Sequence, residues 1–135
     1  NREGDELVTP VSMPSIANMT IVVRDDQRAV RLRRGTGLML FNSELLNGDT
    51  CLRIQGESLN LLGSGITFDG VRLDCATNVE GDDVDAIQSF LDGSNVSEGA
   101  NPPPAGTLPA DGFFDQNSTI GADVDSWKGT WTFGI

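Results

Sequence analysis

Arginines and carboxylates are the residues of this 135-residue sequence whose types and spacing could carry chemistry. The arginine candidates are Arg31, Arg33, Arg53 and Arg72. They could form an external charge ladder across neighbouring strands. They could also bind an anionic polysaccharide, as in a lyase that holds its substrate between arginines and carboxylates. A third interpretation is a set of surface ion pairs, each of which contributes only about 0–1 kcal/mol to stability.

Two acidic stretches offer the oxygen ligands that Ca²⁺ prefers. Neither stretch has the spacing of an EF-hand loop. An acidic helix N-terminus explains the first stretch better than a calcium site does, and a solvated turn explains the second better. Calcium is therefore the one cofactor that the sequence leaves open, with Asp82, Asp83, Asp85, Asp123 and Asp125 as candidate ligands.

No catalytic residue is predicted. The chain contains no His and no Tyr, so a serine or threonine nucleophile would lack an imidazole base. The turn Gly35-Thr36-Gly37 lacks the rest of a dinucleotide-binding motif. Chance pairs are inevitable among 20 acids, so no pair of carboxylates identifies a glycosidase. A non-catalytic protein is therefore favoured over an enzyme.

The charge is strongly asymmetric along the chain. The net charge is −11, from 20 Asp and Glu against 9 Lys and Arg. Residues 1–53 hold seven of each sign, whereas residues 54–135 hold thirteen acids against Arg72 and Lys128. Such a negative field disfavours nucleic acid and anionic membranes as partners. No apolar stretch approaches the roughly 18–20 residues of a membrane span, and the length fits one domain.

Short β-favouring segments separated by turn residues fill the region from Thr20 to Cys75. A sandwich would need about seven strands joined by hairpins. A solenoid would instead repeat its strands at a coil length of about 20–30 residues. The segments that begin at Val30, Cys51 and Val71 share a pattern and start 21 and 20 residues apart. We therefore predict an all-β, parallel solenoid with leucines pointing inward and the neighbouring arginines outward.

Cys51 and Cys75 lie 24 residues apart and are the only cysteines. The lack of His and of a second Cys pair disfavours a zinc site. The two side chains are either buried free thiols or one disulfide. Residues one coil apart in a parallel solenoid lie about 4.8 Å from each other, within disulfide range, so we favour the disulfide. A disulfide indicates an oxidising compartment.

The predicted organisation has four parts. Residues 1–19 suit an extended N-terminal arm, and residues 20–93 form the coils with a flanking helix at about 82–92. Residues 94–112 form a Pro/Gly-rich loop. Residues 113–135 form an aromatic tail that packs on the solenoid, because free aromatics would create an adhesive patch. Its aromatic residues are Phe113, Phe114, Trp127, Trp131 and Phe133.

The tail carries a resemblance to a known family. The motifs Gly112-Phe113-Phe114-Asp115 and Ile120-Gly121-Ala122, followed by the segment 127–134, resemble the C-terminal end of an uncharacterised family of secreted bacterial, lipoprotein-like proteins. The likeness covers about residues 18–135, although Thr119 stands where the family usually has an aromatic residue. The resemblance implies a right-handed parallel β-helix, and it implies that this chain is the C-terminal part of a longer solenoid. It implies no catalytic residues.

Together these features predict a non-catalytic structural or assembly protein of stacked β-coils, secreted or on the cell surface. The chain begins Asn1-Arg2-Glu3 without an initiator Met or a signal segment, so we expect a processed product or a fragment. Unpaired coil edges at the N-terminal end predict stacking on another copy or on the rest of a longer precursor. Two alternatives stay open: a carbohydrate-binding or polysaccharide-lyase-like β-helix, and a calcium-stabilised adhesive module.

Overall fold

A computed structural model describes residues 9–114 and residue 116 of the chain. This part contains eight strands, one 3₁₀ helix at Gly56–Leu61 and one α-helix. The elements in chain order are β1 (Ser15–Ala17), β2 (Thr20–Val22), β3 (Arg28–Leu32), β4 (Leu38–Leu46), β5 (Thr50–Ile54), β6 (Ile66–Asp74), β7 (Thr77–Gly81), α1 (Val84–Asp92) and β8 (Asn95–Glu98).

All strand pairs are parallel, and the strands divide between two sheets. The larger sheet contains β1, β2, β4, β6 and β8, and the smaller sheet contains β3, β5 and β7 in that order. From β2 to β8 each strand lies in the other sheet from the strand before it. The predicted parallel, mostly-β architecture with one short helix is therefore confirmed. The finer prediction of a right-handed β-helix stays a prediction.

The core is built from rows of aliphatic side chains that lie in register on successive strands. Leu40 pairs with Phe68 and Leu45 with Leu73 in the larger sheet, and Leu52 pairs with Val79 in the smaller one. Strand side chains alternate between the two faces of a sheet, so parallel in-register pairing brings these apolar positions to one face. Leu40, Leu45 and Leu52 are completely buried. The predicted orientation, with leucine inward and its neighbouring arginine outward, is confirmed at Leu52.

The larger sheet bends at one row of residues. Asn18, Asn42 and Gly70 occupy this row, and all have a left-handed backbone, with φ of 59°, 46° and 76°. The Nδ2 of Asn42 donates a hydrogen bond to the Oδ1 of Asn18 at 2.6 Å. At Gly70 an added Cβ would lie 2.6 Å from the Cα of Gly106, so this position needs glycine for space as well as for conformation.

The helix α1 covers one end of the sheets. Asp83 caps it by accepting a hydrogen bond from the backbone N–H of Ala86 at 3.0 Å. Ile87 and Leu91 are buried, and the ring of Phe90 packs edge-on against Phe68 with centroids 5.8 Å apart. The helix predicted at about 82–92 is therefore present. No helix among the described residues is long and apolar enough to cross a membrane.

Three strands lie outside the segments for which the sequence predicted strands, and one of them, β7 (Thr77–Gly81), follows the last of those segments, which ends at Cys75. The strand β1 falls within the predicted arm 1–19, and β8 falls within the predicted loop 94–112. Beyond β8, the chain runs along the larger sheet: the Nδ2 of Asn95 donates to the carbonyl of Ala105 at 2.7 Å, and Leu108 is buried. The segments that form β1 and β8 lack the alternation of apolar and polar residues that is typical of a strand. Pairing with the neighbouring strands, rather than the local sequence, makes them strands.

Candidate functional site

A cluster of arginines occupies the outer face of the smaller sheet and the turn that follows β3. We call the following five residues the arginine cluster: Arg28, Arg31, Arg33, Arg34 and Arg53. Parallel pairing places Arg31 directly opposite Arg53, and Arg53 opposite Glu80. One row across the smaller sheet therefore contains Arg31 on β3, Arg53 on β5 and Glu80 on β7, which are two cations followed by a carboxylate.

Glu80 is the acidic centre of this face. Its Oε2 accepts from the Nε of Arg28 at 3.1 Å, and its Oε1 lies 3.2 Å from an Nη atom of Arg53. The hydroxyl of Thr50 also donates to it at 3.3 Å. The hydrogen bond from Arg28, helped by the charge of Arg53, holds the pKa of Glu80 below its ordinary value. One carboxylate thus ties β3, β5 and β7 together.

Arg31 is held by a neutral partner. Its Nε and one of its Nη atoms donate to the side-chain oxygen of Gln55 at 3.0 and 2.8 Å. Partial loss of hydration, followed by repulsion from Arg33 and Arg53, lowers the pKa of the Arg31 guanidinium. The position therefore carries positive charge that its closest hydrogen-bond partner does not neutralise.

A shallow groove of about 350 Å³ opens beside these residues, where the chain turns after β3 and β5. Arg34 and Gly35 both have a left-handed backbone, which turns the chain there. Guanidinium groups offer paired N–H donors that fit carboxylates and sulfates. The groove is lined by Arg31, Arg33, Arg34, Gln55, Gly56 and Glu57.

Arg72 lies apart from the arginine cluster, because β6 belongs to the larger sheet. Its guanidinium pairs with Glu44 at 3.3 Å and with Asp74, and its Nε donates to the carbonyl of Gly99 at 2.9 Å. Of the four predicted arginines, the structure brings Arg31, Arg33 and Arg53 together and leaves Arg72 in a separate network.

Two of the five carboxylates predicted as calcium ligands, Asp82 and Asp83, accept hydrogen bonds from the backbone. The Oδ2 of Asp82 accepts from the N–H of Gly56 at 2.7 Å, Asp83 caps α1, and Asp85 is exposed in the first turn of that helix. Within residues 9–114 and 116, no group of three or more acidic, His or Cys side chains could hold a metal ion. Asp123 and Asp125 lie outside the described residues, and the calcium site stays a prediction.

Cys51 and Cys75 form the disulfide that we predicted, with their Cα atoms 5.5 Å apart. The geometry differs from the expected one. Cys51 lies in β5 of the smaller sheet, and Cys75 directly follows β6 of the larger sheet. The bridge therefore joins the two sheets, whereas the sequence predicts two positions stacked directly over each other in adjacent coils.

The described part of the aromatic tail is short. The Phe114 ring lies 6.3 Å from that of Phe41, so it packs on β4, while Phe113 is 81% exposed. The predicted packing of the tail is therefore seen at Phe114 only. Trp127, Trp131 and Phe133 lie outside the described residues.

The N-terminal end of the sheets, formed by β1, β2 and β3, is not covered by any further strand of the described residues. In the described part of the chain, no strand pairs with the outer edges of these three strands. Ile16, Ile21 and Val30 begin the core rows but are only partly buried. Val22 is 66% exposed and Met13 42%. The C-terminal end, formed by β7, β8 and α1, is instead covered by the apolar face of the helix.

Glu80 and Gln55 are the residues of this surface whose roles the sequence did not reveal. We had considered Glu80 only as part of the acidic stretch before α1. Its role depends on the 27-residue separation between paired positions of β5 and β7. The 22-residue separation between β3 and β5 differs from this, so no constant period could have found it.

Comparisons with protein-family models, with curated proteins and with solved structures gave no match for this chain.

Proposed function

We propose that this protein is a non-catalytic structural module of stacked parallel β-coils, and that its N-terminal end is the docking face for a further β-coil. The alternation of consecutive strands between the two sheets supports a coiled, solenoid-like path. So do the separations of paired residues, which range from 22 to 28. We propose that the chain winds as a right-handed β-helix, which is the fold that the family resemblance implies.

The observation that carries the proposal is the difference between the two ends. Along one core row the side chains are Ile21, Leu45 and Leu73: the first is partly exposed and the other two are completely buried. At the opposite end, α1 buries Ile87 and Leu91 against the last strands. One end of the core is therefore closed by the helix, and the other leaves apolar surface and strand edges exposed.

A further coil is the occupant that this end fits best. It would pair its backbone with the free edges of β1, β2 and β3, and its inward side chains would cover Ile21 and Val30. Burial of apolar surface contributes roughly 25 cal/mol per Å², so even one added coil stabilises the complex appreciably. The coil would come from another copy or from the rest of a longer precursor.

The disulfide supports the cellular location that we propose. Disulfides persist in oxidising compartments and are rare in the cytosol of mesophiles. Cys51 is completely buried, so the bridge is part of the core. We therefore propose a secreted or cell-surface protein. The bacterial source implied by the family resemblance is part of the same proposal.

Hydrogen exchange and sedimentation test the open end. In the isolated chain, we expect the amides of β3 to exchange much faster than those of β5. We also expect association at millimolar concentration that Val22→Asp weakens. Val84→Asp is the matched control, because Val84 is 46% exposed at the closed end. A chain that stays monomeric and protects β3 as well as β5 would contradict the proposal.

Binding of an anionic polysaccharide is the second candidate function, and the groove beside Arg31, Arg33 and Arg34 is the observation that favours it. Titration with oligogalacturonate and with a heparin-derived oligosaccharide tests it, with uncharged dextran as the control. Saturable shifts of the groove amides with a charged oligosaccharide alone would support it, and the absence of shifts with all three would remove it.

A further inference from the structure

We infer that the free edge of β3 selects an acidic parallel strand, with a carboxylate opposite Arg31 and an apolar side chain opposite Val30. This inference rests on the proposed function, and it names the chemistry of the partner that the N-terminal end accepts.

The charge order of one row carries the inference. Arg53 lies between Arg31 on β3 and Glu80 on β7, and its guanidinium pairs with Glu80 at 3.2 Å. Arg31 faces a cation on its inner side, and no strand of residues 9–114 lies on its outer side. The next residue in this row would lie about 4.8 Å from Arg31, close enough for direct pairing. A carboxylate is the group that relieves the repulsion at this position.

The smaller sheet already contains a strand of this chemistry. On β7, Thr77, Val79 and Glu80 lie opposite Thr50, Leu52 and Arg53 of β5. In the same register, β3 presents Arg28, Val30 and Arg31 at its outer edge. A strand with the pattern of β7 would place valine on Val30 and glutamate on Arg31. The sheet would then repeat a pairing that it already makes.

The arginine cluster also disfavours symmetric pairing of two copies. Two β3 edges brought together would bring the Arg28 and Arg31 side chains of the two copies close to one another, and like charges across a strand pair are destabilising. Head-to-tail stacking meets the other end of the molecule, where α1 covers the core and carries Asp85 and Asp92 on its exposed surface. That end presents negative charge, but α1 covers the apolar side chains on which an added strand would pack. The open edge therefore fits an acidic strand of another segment better than it fits β3 of a second copy.

Two synthetic peptides test the inference. The first copies β7 with blocked termini, and its twin has lysine in place of the glutamate. Binding to the isotope-labelled full chain is followed by amide shifts and by hydrogen exchange of β3. We expect the glutamate peptide to protect the β3 amides and to bind about 1.4- to fivefold more tightly than the twin, the range for one exposed charge pair.

Charge reversal provides the control. Arg31→Glu should invert the preference so that the lysine twin binds more tightly. Arg24→Glu makes the same charge change in the loop before β3, where the side chain is 82% exposed, and it should leave the preference unchanged.

Each other outcome has a defined meaning. Equal protection by both peptides overturns the charge inference and leaves the assembly proposal standing. No protection by either peptide overturns the inference, and slow β3 exchange in the free chain would then overturn the assembly proposal as well. If a heparin-derived oligosaccharide shifts the Arg31 and Arg33 amides at lower concentration than the acidic peptide does, the cluster is a glycan site and the inference is wrong.

Discussion

Arg31 and Arg53 stand directly opposite each other on neighbouring parallel strands, although both side chains are cationic. Like charges in this arrangement are destabilising by themselves. The pair is accommodated because Gln55 accepts two hydrogen bonds from Arg31, while Glu80 pairs with Arg53 on its other side. The stability of the smaller sheet should therefore depend on Glu80.

Replacement of Glu80 should change how stability depends on pH. The pKa of Glu80 is lowered in the folded chain, first by its hydrogen bond from Arg28. A carboxyl with a lowered folded pKa stabilises the fold above its unfolded pKa, here near 4.5, and this stabilisation is lost as the pH falls through the folded pKa. We expect Glu80→Gln to be less stable than the wild type at neutral pH and the difference to shrink in acid.

Urea denaturation over a pH series measures this difference. Glu57→Gln is the matched control, because Glu57 accepts from Asn60 within the 3₁₀ helix, whereas Glu80 accepts across neighbouring strands. Identical pH profiles for the wild type and Glu80→Gln would show that the bridge across the three strands contributes nothing.

Removal of the disulfide should destabilise the chain substantially. The bridge closes a loop of 24 residues, and the loss of such a cross-link costs about 3 kcal/mol in the chain-entropy model. We expect the double variant Cys51→Ala/Cys75→Ala to unfold at lower urea concentration than the wild type. A reductant should lower the midpoint of the wild type towards that of the variant and leave the variant itself unchanged. If the urea midpoint of the wild type stays the same in reductant although both thiols become free, the prediction is contradicted.

Core truncations should cost less near the open end than in the middle. Ile21 and Leu45 pair in one row, but only Leu45 is completely buried. We expect Leu45→Ala to reduce the free energy of unfolding by about 2–5 kcal/mol and Ile21→Ala by about 1–2 kcal/mol. Denaturation of the isolated chain measures both. Equal costs would mean that the N-terminal end is closed.

The carboxylates at the start of α1 should act as helix caps rather than as calcium ligands. Asp83→Ala should cost about 1 kcal/mol because it removes the hydrogen bond to Ala86, and Asp85→Ala should cost less. We expect the same melting temperature for the wild type in EDTA and in excess calcium. A clear fall in EDTA would instead support the calcium-stabilised module.

Sequence reasoning succeeded where a local rule applies. The spacing of Val84, Ile87 and Leu91 together with an acidic first turn predicted α1, because helix faces and caps depend on residues three or four positions apart. The alternation around Leu52 predicted which side chains are buried, because the strand period is two. The parallel pairing and the disulfide followed from the repeated segments and the two cysteines.

The segment pattern itself led to one incorrect alignment. It placed Val30, Cys51 and Val71 in one column, yet the structure pairs Val30 with Leu52 and puts Val71 in the larger sheet. A shift of one residue exchanges the two faces of a strand, and the turns between these strands differ in length. The actual register was therefore not visible in the spacing.

The amino-acid sequence alone predicted the helix α1 and the inward side chain of Leu52, because both depend on neighbours along the chain. It also indicated the parallel, mostly-β character and the disulfide, through the recurrence of similar segments and the spacing of the two cysteines. Only the tertiary structure decided that Arg31 and Arg53 meet while Arg72 belongs to another network, that Glu80 joins three strands, and that no strand of the described residues covers the N-terminal end of the core. Those relationships depend on the unequal numbers of residues between paired strands, because that number sets which distant residues lie opposite each other.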